Sequence, residues 1–195
     1  MKHLALALAM LVSTVTHAAD TLRWTSDKVH SSVGFSVRYL LINEVSGKFD
    51  NYEVELVSAE EDFSDAKITV VVKTSSIDTD NEKRDNHLRS DDFFNAEKYP
   101  ELKFVGTKLE KVEGDRYKLH GDLTIRDITK PITLDVTLGG FTKDPWGNER
   151  AGFKIEGEVN RFEYGLKWDA ATEAGGLVVG PRVKIESDLS MVKQK

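Results

Sequence analysis

A chain of 195 residues is the length of one domain, and an apolar share of 39% is enough for a real core. Its 31% charged residues and formal net charge of −6 argue against a nucleic-acid binder and against a protein steered by charge to an anionic membrane. It has no cysteine, which excludes disulfide stapling and lipid attachment through a thiol.

The first element is MKHLALALAMLVSTVTHAAD: Lys2, an apolar run from Leu4 to Val15, then Thr16 and Ala18 before Ala19. This is the layout of a secretory signal peptide over residues 1–18, cut after Ala18 or, as the next choice, Ala19, and its apolar run is too short to span a bilayer. Residues 19–195 are expected to form a single exported domain with no stable membrane insertion.

From there the chain alternates with period two. Val33, Phe35, Val37 and Tyr39 share one face, and the phase changes between Phe49 and Tyr52. In KITVVVKT, Ile68, Val70 and Val72 oppose Lys67, Thr69 and Lys73, the pattern of a half-buried strand. The same alternation carries Tyr117, Leu119, Leu123 and Ile125, then Ile132, Leu134, Val136 and Leu138. It returns in Phe153, Ile155 and Val159, changes phase before Phe162, and ends in Val183, Ile185, Leu189 and Met191. Between the runs, Glu113-Gly114-Asp115 reads as a hairpin, Pro131 as a strand opening and Asp144-Pro145-Trp146-Gly147 as a type I turn. Phase changes are what bulges or corners produce, so the pattern points to an up-and-down antiparallel barrel of roughly eight strands, with two packed sheets as the alternative.

One stretch breaks the alternation. EKRDNHLRSDDFF, Glu82 to Phe94, is rich in helix formers, with Asp80 or Asn81 as N-cap and Tyr99-Pro100 forcing an extended exit into Phe104. One short helix is therefore expected, closing or framing one end of the barrel. His87 with Asp85, Asp91 or Ser90 supplies residue types for acid/base work, but no nucleophile motif accompanies them, and a solvated helix with ion pairs to neighbouring aspartates explains Arg84 and Arg89. No catalytic residue is assigned. His30, His87 and His120 lack ligand spacing, so no metal site is assigned either. Trp24, Trp146 and Trp168 are read as rim or core packing.

Three segments, SSIDTDNEKRDNHLRSDDFFNAEKYPELKF, GDLTIRDITKPITL and DPWGNERAGFKIEGEV, resemble in order and spacing the YceI family of exported, lipocalin-like proteins that bind polyisoprenoid lipids. The likeness runs from Asp27 to the final strand. Asp127 departs from the family's usual glycine, at a position where Asp tolerates a left-handed turn. Phe162 to Arg182, with Ala-Gly-Gly, is read as a mobile loop at the mouth, where head-group contacts would fall.

The resemblance implies an all-β, eight-stranded antiparallel lipocalin-like barrel whose cavity holds an isoprenoid lipid such as a polyprenyl phosphate or ubiquinone. No cofactor is required beyond that lipid or quinone as ligand. The lining expected from the inner phase is Phe35, Val37, Tyr39, Phe49, Val70, Val72, Phe94, Phe104, Leu119, Leu134, Val136, Phe153, Ile155, Val183 and Ile185. Gly106, Gly121 and Gly157 fall in the same phase, where they leave room for ligand or mark bends in a filled barrel. The competing readings are a small exported hydrolase or isomerase and an interaction module with a filled core. Relatives are linked with stress responses and respiratory quinones, and an open mouth makes a shielding homodimer an expectation. At ~0.8 kcal/mol per buried CH₂, about ten to fifteen tail carbons supply micromolar affinity before ordering costs.

Overall fold

The computed structural model describes residues 21–60, 62–173 and 175–194. The expected signal segment, with its expected cut after Ala18 or Ala19, lies outside the described residues. The alternating runs form strands: β1 (Leu22–Ser26), β2 (Ser32–Tyr39), β3 (Asn43–Phe49), β4 (Tyr52–Ser58), β5 (Lys67–Lys73) and β6 (Ile77–Asp78). After helix α1 (Glu82–Arg89) come β7 (Glu101–Glu113), β8 (Arg116–Ile125), β9 (Ile128–Lys143), β10 (Glu149–Asn160) and β11 (Val179–Lys193).

These strands occupy eight positions in a closed antiparallel barrel. β1 and β2 share a position, because β2 pairs with β11 over Val179–Asp188 and β1 pairs with it over Met191–Lys193. In the same way β3 and β4 pair with β2 and β1, and β6 and β5 pair with β3 and β4. β7 to β11 follow as simple neighbours. Closure of β1 on β11 decides for a barrel over two packed sheets.

Three adjacent positions break side by side. The Tyr52 hydroxyl donates to the Ser31 carbonyl at 2.7 Å, Asp50 N–H to Ser76 C=O at 3.1 Å, and Lys73 N–H to Asn51 C=O at 2.9 Å. Together they make one corner, and the phase change between Phe49 and Tyr52 marks it. The change between Val159 and Phe162 has another cause. β10 ends at Asn160, whose side-chain oxygen accepts from Phe162 N–H at 3.1 Å, and a 3₁₀ turn, Arg161–Tyr164, follows.

Other expectations shift in detail. Pro131 does not open a strand but stands inside β9, opposite Asp122 of β8. β10 pairs with β9 only from Asp135 onward, so the missing N–H faces an unpaired edge. In the β8–β9 turn the left-handed residue is Arg126, at φ 58°, rather than Asp127. Gly114 at φ 58° and Gly147 at φ 87° serve the two hairpins that the sequence marks.

The strand order puts the two ends of the barrel in different hands. One end carries the β4–β5, β7–β8 and β9–β10 connections, and Phe63 of the first plugs it. Phe63 is 2% exposed, and its ring centroid lies 5.6 Å from those of Trp24, Phe141 and Phe153. Nearby, Arg150 bridges Asp27 at 2.7 Å and Asp144 at 2.9 Å. Hydrogen bonds from Arg150 and then His30 hold the Asp27 carboxyl down at about 2. Burial alone would raise Asp144, but hydrogen bonds from Asn148 and Arg150 outweigh it and keep that carboxyl well below the usual range. The opposite end carries the β2–β3 turn, α1 with residues 90–100, the β8–β9 turn and residues 161–178.

Candidate functional site

Inward side chains enclose an apolar cavity of about 200 Å³. Fourteen of the expected residues border it: Phe35, Val37, Phe49, Val70, Val72, Phe94, Phe104, Leu119, Leu134, Val136, Phe153, Ile155, Val183 and Ile185. Tyr39 does not. It is 38% exposed and borders a second hollow of about 410 Å³, which shares Phe35, Val37, Leu88, Phe93 and Val179 with the first. Tyr39 is thus a residue of the mouth, placed there by the end of β2.

Several lining residues, among them Phe35, Val70, Phe153, Ile155 and Ile185, are only partly buried although they point inward. Partial burial of side chains that line a cavity is what a hollow barrel leaves, and not one packed to interior density. The glycines act differently from expectation. A Cβ on Gly121 would run into the Phe104 ring, and one on Gly157 into the Leu134 side chain. These two positions let a neighbour lie flat along the wall, so their room is already taken.

The segment around α1 frames the mouth. Asn81 caps the helix, its side chain accepting from Arg84 N–H at 3.0 Å, and the chain then turns Phe93 and Phe94 inward, where both are buried against the cavity. Phe94 meets Phe49 edge-on at 5.9 Å. Arg84 and Arg89 do not pair with aspartates. Arg84 Nε donates to Thr79 Oγ1 at 2.7 Å, while Arg89 donates to the carbonyls of Ser75 and Ile77 at 2.8 Å, so both tie the helix to the strand before it.

The acid/base candidates are not brought together. His87 Nε2 lies 2.8 Å from Asp92, and its ring packs edge-on to Phe93 and Trp168 at 5.1 and 5.4 Å. Asp85 is buried and accepts from Thr79 N–H at 3.0 Å, Ser90 Oγ donates to the His87 carbonyl at 2.7 Å, and Asp91 pairs with Arg126 at 2.7 Å. Among the described residues no group of three or more His, Asp or Glu could hold a metal ion.

Sequence reading passed over one residue of consequence. Arg161, 3% exposed, borders the cavity and is the one charged side chain in its lining among the described residues. Its guanidinium donates to the carbonyls of Gly180, Leu166 and Val179 at 2.8 to 2.9 Å and stacks on the Phe162 ring at 4.1 Å. Burial pushes its pKa down. Together with buried Tyr164 and Leu166, it makes the start of the supposed mobile loop an anchored piece of the mouth. A lone Arg at a strand end has no periodic signature. Val54 and Leu56, also in the lining, do have one, in YEVELV.

The YceI-like domain model matches residues 24–191. A UPF0312 protein of Staphylococcus aureus (strain USA300) is 38% identical over 165 residues, covering 84% of this chain and 94% of its own. The solved Campylobacter jejuni YCEI protein is 32% identical with a TM-score of 0.71, covering 87% of this chain and 96% of that one. A polyisoprenoid binding domain from Saccharophagus degradans shares the fold at 15% identity and a TM-score of 0.68, covering 89% of this chain and 99% of that one.

Proposed function

The chain belongs to the YceI family, and on that premise we propose that it is an exported, periplasmic protein that binds an isoprenoid lipid inside its barrel. The observation that carries this reading is the cavity itself: an almost wholly apolar interior, closed at one end by Phe63 packed on Phe153 and framed at the other by α1 and Phe93-Phe94. A polar small molecule would find no side-chain partners there beyond Ser187 and Arg161. A long hydrocarbon tail, by contrast, gains ~0.8 kcal/mol for each CH₂ it removes from water. The Saccharophagus degradans domain of the same fold is described as polyisoprenoid-binding, which agrees with a polyprenyl phosphate or a quinone as ligand. Carriage, storage or protection of such a lipid needs no catalytic group, and the engaged partners of His87 suit a framing role for α1.

The test is organic extraction of the purified protein followed by mass spectrometry, with an isoprenoid as the expected product. Stripped protein is then melted with and without a long-chain polyprenol. At a hundredfold excess over Kd the ligand should add about 2.7 kcal/mol, roughly 5–10 °C for a domain of this size. An extract without isoprenoid, together with unchanged melting, refutes the reading.

A further inference from the structure

The tip of the β2–β3 hairpin exposes Leu40, Leu41 and Ile42, at 37%, 58% and 79%. Among the described residues no other stretch exposes three large apolar side chains in a row. Ile42 N–H donates to Tyr39 C=O at 3.2 Å, closing a turn whose central residues, Leu40 and Leu41, both sit in the left-handed region at φ 51° and 65°. Asn-Gly holds such a turn with less strain, so the hairpin itself does not call for two leucines.

The tip is fixed to the mouth. Leu40 N–H donates to Val178 C=O at 2.9 Å, and a side chain at Gly176 would collide with the Leu41 methyl that lies against it. Tyr39, the residue before the tip, borders the outer hollow, which shares Phe35, Val37, Leu88, Phe93 and Val179 with the cavity lining. The exposed tip therefore stands at the mouth end of the barrel, one residue beyond the lining of that outer hollow.

Three side chains are far less than the ~800 Å² per partner that a stable dimer needs, and so do not by themselves support the homodimer expected of an open mouth. They do match the shallow burial, about 5–10 Å deep, of an apolar element at the acyl boundary of a bilayer. Building on the lipid-binding reading, we propose that the Leu40–Ile42 tip dips reversibly into a lipid bilayer, so that an isoprenoid tail passes between membrane and cavity without crossing water. With a net charge of −6 the chain as a whole is not drawn to anionic lipid, so the contact is tested on neutral lipid.

The experiment compares wild-type protein, L40N/L41G and W146S in flotation with phosphatidylcholine vesicles. Trp146 is 81% exposed at the opposite, floored end and serves as the control. L40N/L41G should keep or raise the melting temperature, because Asn-Gly suits the turn, while its partition onto vesicles falls about tenfold or more. W146S should bind as wild type does. Equal vesicle binding by L40N/L41G, or none by wild type, overturns the proposal. So does a shift from dimer to monomer in L40N/L41G on sedimentation, which would give the patch to a second copy of the chain. Isoprenoid content is measured on the same samples: loaded protein that ignores vesicles defeats docking alone, whereas empty protein in every sample defeats the lipid-binding reading.

Discussion

Val70 and Ile155 stand on β5 and β10, the third and seventh of eight barrel positions, and so lie on opposite walls of the lumen. Both line the cavity and both are only partly buried. The double variant V70F/I155F adds about seven carbons to the interior from two walls; even at half of ~0.8 kcal/mol per carbon, to allow for incomplete burial, this stabilises a hollow barrel by roughly 2–3 kcal/mol. In a filled core the same change would be overpacking, costing about 1–3 kcal/mol at each site. Sign alone separates the two. Lipid-stripped wild type and variant are unfolded in urea, and the midpoint and slope compared, while lipid content before stripping is read by mass spectrometry. The variant should unfold at higher urea with an unchanged slope and carry little or no isoprenoid, because the tail has lost the volume that the rings occupy. Destabilisation of the stripped variant would show a filled interior and refute the reasoning.

Arg161→Met leaves three buried carbonyls without a donor and should cost about 3 kcal/mol, with faster amide exchange over residues 161–180; unchanged exchange there would contradict the anchoring role. The Asp27 carboxyl, held at about 2 by Arg150 and His30, contributes stability that is whole above its unfolded value of about 4 and is lost as pH falls through about 2. Arg150→Met removes the main cause of that depression and a partner of Asp144, so acid unfolding followed by circular dichroism should begin at a higher pH than in wild type. His87→Ala should lower stability by about 1 kcal/mol through lost packing on Phe93 and Trp168 and leave lipid content unchanged. Phe94→Asp, which puts a carboxylate into the cavity wall, should empty or unfold the barrel; a folded Phe94→Asp protein with full lipid content would count against the framing of the cavity by this segment.

The barrel was legible because a β-strand repeats every two residues, so Ile68, Val70 and Val72, or Leu134 and Val136, declare their shared face without any knowledge of their neighbours. The short helix was legible for the converse reason: Asn81 as cap and the unalternating run to Arg89 are local signals. What lies opposite what is not local. That β5 faces β10, that β1 and β2 are two halves of one position, and that three breaks align into one corner follow from ring closure, which no segment carries in itself. The same holds for residues whose role depends on where a loop lands. Phe63 sits in an acidic loop and becomes the floor, Arg161 follows the end of β10 and becomes a buried tie to Leu166 and the start of β11, and Tyr39 continues the inner phase of β2 yet emerges at the rim because the strand outruns the cavity. Periodicity fixes which face a side chain takes, whereas depth along the barrel axis is set by strand stagger, a property of the closed sheet.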